Sequence, residues 1–149
     1  MPLTLKKLLP FLTVALLAIT ADQIVKQIIL GGYRWESKCL SIVFVLNDGV
    51  AFSMFAFLQG YLKYIQIAII SFALYYVYVQ KYIYEYRTEL GLILGSGISN
   101  VVDRFVHGGV VDYVYWHCGF NFAVFNLADV LIDVGVGLLL LKTLVLNKK

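Results

Sequence analysis

Apolar positions crowd into four stretches of the chain, residues 8–30, 61–79, 90–106 and 128–146, and polar positions gather between them. Each stretch approaches the roughly 20 residues that a helix needs to cross a bilayer. The third is short and ends on polar residues. The pattern predicts an integral membrane α-helical protein. Four transmembrane helices form a single membrane-embedded domain over residues 1–149, with long connections at residues 31–60 and 107–125 on one side. Lys6-Lys7 ahead of an apolar run is reminiscent of a signal peptide. Ile19, however, stands three residues before a cut after Ala21, and apolar character resumes at Ile24. The reading is an uncleaved first span.

The two long connections carry their own pattern. Residues 39–46 are β-prone, and Asn47-Asp48-Gly49 is a strong turn signal. In the second connection Val110, Asp112, Val114 and Trp116 alternate with Val111, Tyr113 and Tyr115, the period of a strand. Gly119 interrupts, and residues 120–125 read as a returning strand. The expectation is a small β-sheet cradle on the outer face, with its aromatic residues at the membrane interface. Phe52, Phe55 and Phe57 of the first connection are placed to close over a site there.

Composition turns the membrane reading into the only workable one. Of 149 residues, 61% are hydrophobic and 14% charged, and mean hydropathy is +0.83. A small soluble domain cannot hide such an excess, and a disordered chain does not carry it. The net charge of +3, with no basic patch interleaved with aromatics, excludes nucleic acid as a partner. Lys6, Lys7, Lys81, Arg87, Lys142, Lys148 and Lys149 share one side of a four-span topology, which puts both termini in the cytoplasm. Tyr75, Tyr76, Tyr78, Tyr82, Tyr84 and Tyr86 form an aromatic belt at the inner end of the second span. Two cysteines and two histidines show no zinc-ligand spacing, so no metal is expected. The sequence leaves open whether Cys39 and Cys118 pair.

The nine acids are more telling than the bases. Glu85 and Glu89, beside Lys81 and Arg87, read as solvated, and so does Glu36. The other six, Asp22, Asp48, Asp103, Asp112, Asp129 and Asp133, all fall near the outer ends of the spans or in the outer connections. Acids at membrane depth ordinarily face a cavity or a partner. Asp22 and Lys26, four apart on one helix face, read as a structural pair. Asn100 and Asp103-Arg104 read as a polar network. Asn126 and Asp129 have the spacing of a helix cap and its reciprocal acid. Yet Asp112 and Asp129 together also suit aspartyl protease chemistry, in which two carboxylates share one proton and activate water. Two other readings stand beside this one: a small proton- or cation-coupled carrier using Asp22, Asp129 and Asp133, and a non-catalytic membrane scaffold.

Four ordered blocks then resemble the lipoprotein signal peptidases, the type II signal peptidases of bacteria. Asp22-Gln23-Ile24-Val25-Lys26 is similar to the family's D-Q-x-x-K. Asn47-Asp48-Gly49-Val50-Ala51-Phe52-Ser53 resembles N-x-G-x-A-F-S. Asn100-Val101-Val102-Asp103-Arg104 with Gly109-Val110-Val111-Asp112-Tyr113 resembles N-x-x-D-R…G-x-V-x-D-[FY]. Phe125-Asn126-Leu127-Ala128-Asp129 is similar to F-N-x-A-D. The resemblance implies Asp112 and Asp129 as the catalytic dyad. It implies Asn47, Gly49, Asn100, Asp103, Arg104, Asn126 and Ala128 as substrate-binding or supporting residues, and Asp22 with Lys26 as a structural pair. The implied activity is a membrane aspartic endopeptidase that cuts diacylglyceryl-modified prolipoproteins before the lipobox cysteine, without cofactor or metal. Membrane lipid and globomycin-type peptide inhibitors are the implied partners of a monomer in the bacterial inner membrane, with the active site near the outer face. Which aspartate acts as base is left open. The family pattern is departed from at Val25, where Thr or Ser is usual, and at Asp133, an extra acid one helical turn from Asp129, read as lining the cavity.

Overall fold

A computed structural model describes residues 5–49 and 56–146. It contains helices α1 (Leu5–Leu30), α2 (Gln59–Val79), α3 (Arg87–Val106) and α4 (Leu127–Leu146). Strands β1 (Trp35–Glu36) and β2 (Leu40–Asn47) lie between α1 and α2, and β3 (Val110–Trp116) lies between α3 and α4. The four helices match the four apolar stretches, and α3 begins three residues earlier than the hydropathy suggests. Two of them, α1 and α2, are long and apolar enough to cross a membrane by length and composition. Charged residues interrupt the other two, Arg87, Glu89, Asp103 and Arg104 in α3 and Asp129, Asp133 and Lys142 in α4.

The distribution of side chains is inside-out. Leu16 on α1 and Phe72 on α2 are 64% and 70% exposed, while Asp22, Lys26, Asp103, Arg104 and Asn126 are buried. Apolar flanks around a polar interior are what hydrocarbon surroundings select, since lipid solvates leucine and leaves buried polar groups to satisfy one another. Glu89 departs from the solvated role expected of it. It is buried, and its Oε1 accepts from Lys142 Nζ at 3.1 Å, because the helix brings it against the far end of α4 rather than into the short connection.

Helix α3 packs chiefly against α1 and α4. Small residues let it approach α1 closely. A Cβ built on Gly95 would lie 2.6 Å from the carbonyl oxygen of Ala15, and one on Gly91 would lie 2.9 Å from Val14 Cβ. Helix association in lipid depends on such close backbone packing. Because the obstacle at Gly95 is backbone, Gly95→Val is expected to cost about 3 kcal/mol. Thermal unfolding in detergent measures it, and an unchanged midpoint would contradict the packing.

The strands form one antiparallel sheet in the order β1-β2-β3. Between Ile42 and Val45 the β2–β3 register slips by one residue. A slip of one moves every later side chain to the opposite face. Here it pairs Val45 with Asp112 and Asn47 with Val110, so Asn47 and Asp112 share a face. The sheet packs its other face on the end of α1, through Val111, Tyr113 and Ile29. The returning strand expected at residues 120–125 does not form. Only Phe125 bridges to Val114, and Phe120 and Phe122 stand exposed. A disulfide joins Cys39 to Cys118, tying the start of β2 to the turn after β3. Phe57 is exposed, while Phe52 and Phe55, expected to close over the site, lie outside the described residues.

Candidate active site

The start of α4 organises the site. The first amides of any helix lack partners within it, and here three side chains from different parts of the fold supply them. Tyr113 Oη accepts from Leu127 N at 2.9 Å, Asp22 Oδ1 from Ala128 N at 2.9 Å, and Asn126 Oδ1 from Asp129 N at 3.0 Å. Asp129 Oδ2 reciprocates by accepting from Asn126 N at 3.1 Å, which completes the capping box expected from the spacing. The capping role uses one carboxylate oxygen. The other, Oδ1, accepts from Asn100 Nδ2 at 3.0 Å. Asp129 is therefore both a cap and a member of a wider network.

Asp112 is held just as firmly. Its Oδ1 accepts from Asn126 Nδ2 at 2.7 Å and its Oδ2 from Asn47 Nδ2 at 2.9 Å. Asn47 is itself oriented by accepting from the amide of Gly49 at 3.0 Å, the local turn that the Asn-Asp-Gly sequence favours. Asn126 thus bonds Asp112 through its amide nitrogen and Asp129 through backbone and side chain, linking the two acids across α4 and β3. Asp112 and Asp129 line one cavity of about 620 Å³ with Asn47, Asn100, Arg104 and Asp133. Burial pushes the Asp112 carboxyl up to about 6, and the charge of Asp129 adds to the rise. The donors of Asn47 and Asn126 and the charge of Lys26 pull against it.

Beneath this pair lies a cationic knot. Lys26 Nζ reaches Asp22 Oδ2 at 2.6 Å, Asp103 Oδ2 at 2.7 Å and Asn100 Oδ1 at 2.9 Å. All three ammonium protons have an acceptor. The expected Asp22–Lys26 pair is present, and Asp103 makes it a triad. Asp103 Oδ2 also accepts from Val111 N at 3.1 Å, which anchors β3 next to Asp112. Arg104 Nη2 donates to the carbonyl of Gly49, holding the turn after β2 over the cavity. Its Nε and Nη1 are buried without a partner among the described residues.

All eleven residues singled out in the sequence, including Gly49 and Ala128 through their backbones, meet in this one network. Three participants were missed. Gln23 Nε2 donates to Asp103 Oδ1 at 2.8 Å and to Ser99 Oγ at 3.0 Å, and Ser99 Oγ donates to Asp22 Oδ2 at 2.7 Å. The third is the Tyr113 hydroxyl. Gln23 and Tyr113 were visible within their motifs but without a role, whereas Ser99 gave no signal, since its partner Asp22 lies 77 residues away. Among the described residues no group of His, Cys, Asp and Glu could hold a metal ion.

Residues 14–145 match the family model described as Signal peptidase (SPase) II. A lipoprotein signal peptidase of Wolinella succinogenes is 54% identical over 128 residues, covering 85% of this chain and 88% of the relative. One from Helicobacter pylori is 52% identical over 147 residues, covering 98% of this chain and 94% of the relative. A bacterial membrane enzyme solved by the in meso method at 2.3 Å resolution superposes with a TM-score of 0.78 at 27% identity, covering 93% of this chain and 91% of that one.

Proposed function

The chain belongs to the signal peptidase II family, and on that premise we propose that it is a membrane aspartyl endopeptidase that removes the signal peptide of diacylglyceryl-modified prolipoproteins, cutting before the lipobox cysteine. The observation that carries this reading is the placement of Asp112 and Asp129. They come from different elements, share one cavity, and are each fixed by two hydrogen-bond donors.

Such a pair holds one proton between its members near neutral pH. The ionised member takes a proton from water as the water attacks the scissile carbonyl. The protonated member donates to that carbonyl oxygen. On collapse of the tetrahedral intermediate one carboxyl gives its proton to the leaving amine while the other carboxylate takes the proton of the intermediate's hydroxyl, so the dyad ends as it began. The unpaired N–H groups of Arg104 suit the polarised carbonyls of a bound peptide. Asn47, Asn100 and Asn126 keep the acids in place. No cofactor or metal takes part.

The same reading makes all four helices spans of the bacterial inner membrane. Lys81, Arg87 and Lys142 mark the cytoplasmic ends together with both termini, and the sheet and dyad sit at the outer face. A lipid-anchored cysteine holds its preceding peptide bond at that interface. The protein acts as a monomer open to membrane lipid, and globomycin-type peptides compete for the cavity. The test is incubation of the purified protein with a diacylglyceryl-modified prolipoprotein. A shortened product that globomycin suppresses is expected, and an intact substrate would overturn the reading.

The environment of Asp112 gives a second expectation. Asn47 donates to the ionised carboxylate and so holds its titration down. Asn47→Ala removes that donor, and the ionised form loses support. The limb near pH 6 in a plot of kcat/KM against pH should then move upward by about one unit, the equivalent of roughly 1.4 kcal/mol from a hydrogen bond to a charged group. An unmoved limb would contradict the role given to Asn47.

A further inference from the structure

Asp112 and the asparagine that holds it come from different outer connections. Asn47 ends β2 in the first, and Asp112 lies on β3 in the second. Helices α2 and α3 run between them, so nothing local in the chain keeps one beside the other. The Cys39–Cys118 disulfide joins the two connections across 79 residues. These are the two cysteines of the chain, and both are used. Neither falls within the four blocks that resemble the family, and the chemistry above gives their bond no part.

Cys39 immediately precedes β2, and Cys118 follows the end of β3. The bond therefore closes the sheet at the end opposite the Asn47–Val110 pair. Beside it the His117 amide donates to the Cys39 carbonyl at 2.9 Å, and Ser41 Oγ lies 2.9 Å from His117 Nε2. Beyond Cys118 the chain turns back at Gly119, whose φ is 80°, and runs to Asn126 without forming a strand. Its backbone bonds to β3 come at Phe122 and Phe125. Asn126 then donates to Asp112 through Nδ2 and to Asp129 through its amide. One covalent bond thus fixes the start of the strand that delivers Asn47, the end of the strand that carries Asp112, and the start of the return that delivers Asn126. The constraint a disulfide places on a chain grows with the loop it closes, and small displacements around the reacting atoms are costly to rate.

We propose that the Cys39–Cys118 disulfide is a positioning bond for the dyad, so that the peptidase is fully active only after a thiol-oxidising reaction on the outer face has joined the two cysteines. The inference rests on the peptidase reading and its topology. Outside the cytoplasm such bonds form and persist. In the joining step the thiolate of one cysteine attacks a disulfide-bearing oxidant and forms a mixed disulfide with it. The thiolate of the other cysteine then displaces the oxidant's remaining sulfur. The oxidant leaves as a dithiol, carrying the two electrons and the two protons that the cysteines have lost. Both cysteines are half-buried, and their neighbours Lys38 and Gly119 are exposed, which leaves the pair within reach of such an oxidant. The reduced protein keeps its helices packed and holds Asn47 and Asn126 less firmly against Asp112.

The experiment follows cleavage of a lipid-modified prolipoprotein by the full-length protein in lipid vesicles in three states: oxidised, reduced with a phosphine, and reoxidised with oxidised glutathione. Maleimide labelling should find no free thiol in the first state and both in the second. Reduction should lower kcat/KM by about tenfold. Burial raises the Asp112 titration while Asn47 and Asn126 hold it down, so loosening both donors should also move the limb near pH 6 upward by about half a unit. Asp129 of α4, Lys26 of α1 and Arg104 of α3 face Asp112 as well, and their helices hold them in either state. Reoxidation should restore both values. The double variant Cys39→Ser, Cys118→Ser should match the reduced protein and ignore the reductant. Free thiols before reduction, or a reduced protein as active as the oxidised one, overturn the proposal. So does a loss of rate with an unmoved limb, the mark of lost folded protein rather than lost positioning. Failure of the oxidised protein, its thiols fully paired, to cleave the substrate overturns the peptidase reading and the positioning role with it, which keeps the two failures apart.

Discussion

Asp112→Asn and Asp129→Asn are each expected to lower prolipoprotein cleavage by at least about 10³-fold, within the range of lost general acid–base catalysis, while the protein still inserts and folds. An amide cannot take a proton from water, and it cannot share one with a neighbouring carboxylate. The fold should tolerate the change because the caps of α4 supplied by Tyr113, Asp22 and the Asn126 side chain do not involve the altered carboxylates. At Asp129 the amide oxygen can still accept from Asn126 N. Kinetics on lipid-modified substrate and a melting curve, read together, decide between the two roles of Asp129. Were it only a helix cap, the asparagine variant would lose stability and keep activity. A folded, inactive variant supports the dyad, and full activity in either variant would falsify it.

The largest effect on stability is expected at Lys26. Lys26→Met leaves Asp22 and Asp103 buried and facing each other without their shared cation. Removing one partner of a buried ion cluster typically costs 3–5 kcal/mol, and the midpoint of thermal unfolding should fall by roughly 10 °C. The loss should be smaller in the double variant Lys26→Met, Asp103→Asn, because one of the stranded charges is gone. Equal losses in single and double variants would mean that Lys26 acts through packing alone. Activity should fall as well, since Lys26 Nζ also fixes Asn100, which donates to Asp129.

Much of this was legible in the sequence because the membrane makes charge scarce. An aspartate beside leucines and valines has to be explained, and each of the six outer-side acids drew attention on that ground alone. Helix boundaries followed from apolar runs, and the Asn126–Asp129 cap from its spacing. The returning strand expected at residues 120–125 after the break at Gly119 does not form, because a break in one strand does not by itself supply a second. Phe125 bridges to Val114, and the Phe122 amide donates to the carbonyl of Trp116 at 2.9 Å, without a strand forming. The slip in the β2–β3 register was equally hidden, although it decides which face Asn47 occupies. The fate of Glu89 depended on Lys142, 53 residues away, and Ser99 on Asp22, 77 residues away. Such partnerships are set by how helices pack, which no local pattern encodes.

The order of the strands carries a consequence for how the molecule is made. Asn47 emerges from the ribosome 65 residues before Asp112, the acid it will hold. At 5–20 residues per second that interval is about 3–13 s. On the topology proposed above, β2 waits throughout it on the far side of the membrane with an open edge, until α2 and α3 have been threaded and β3 delivered. Catalytic competence is thus the last thing a newly synthesised copy acquires, and a chain truncated before residue 110 would be inserted, anchored and inert.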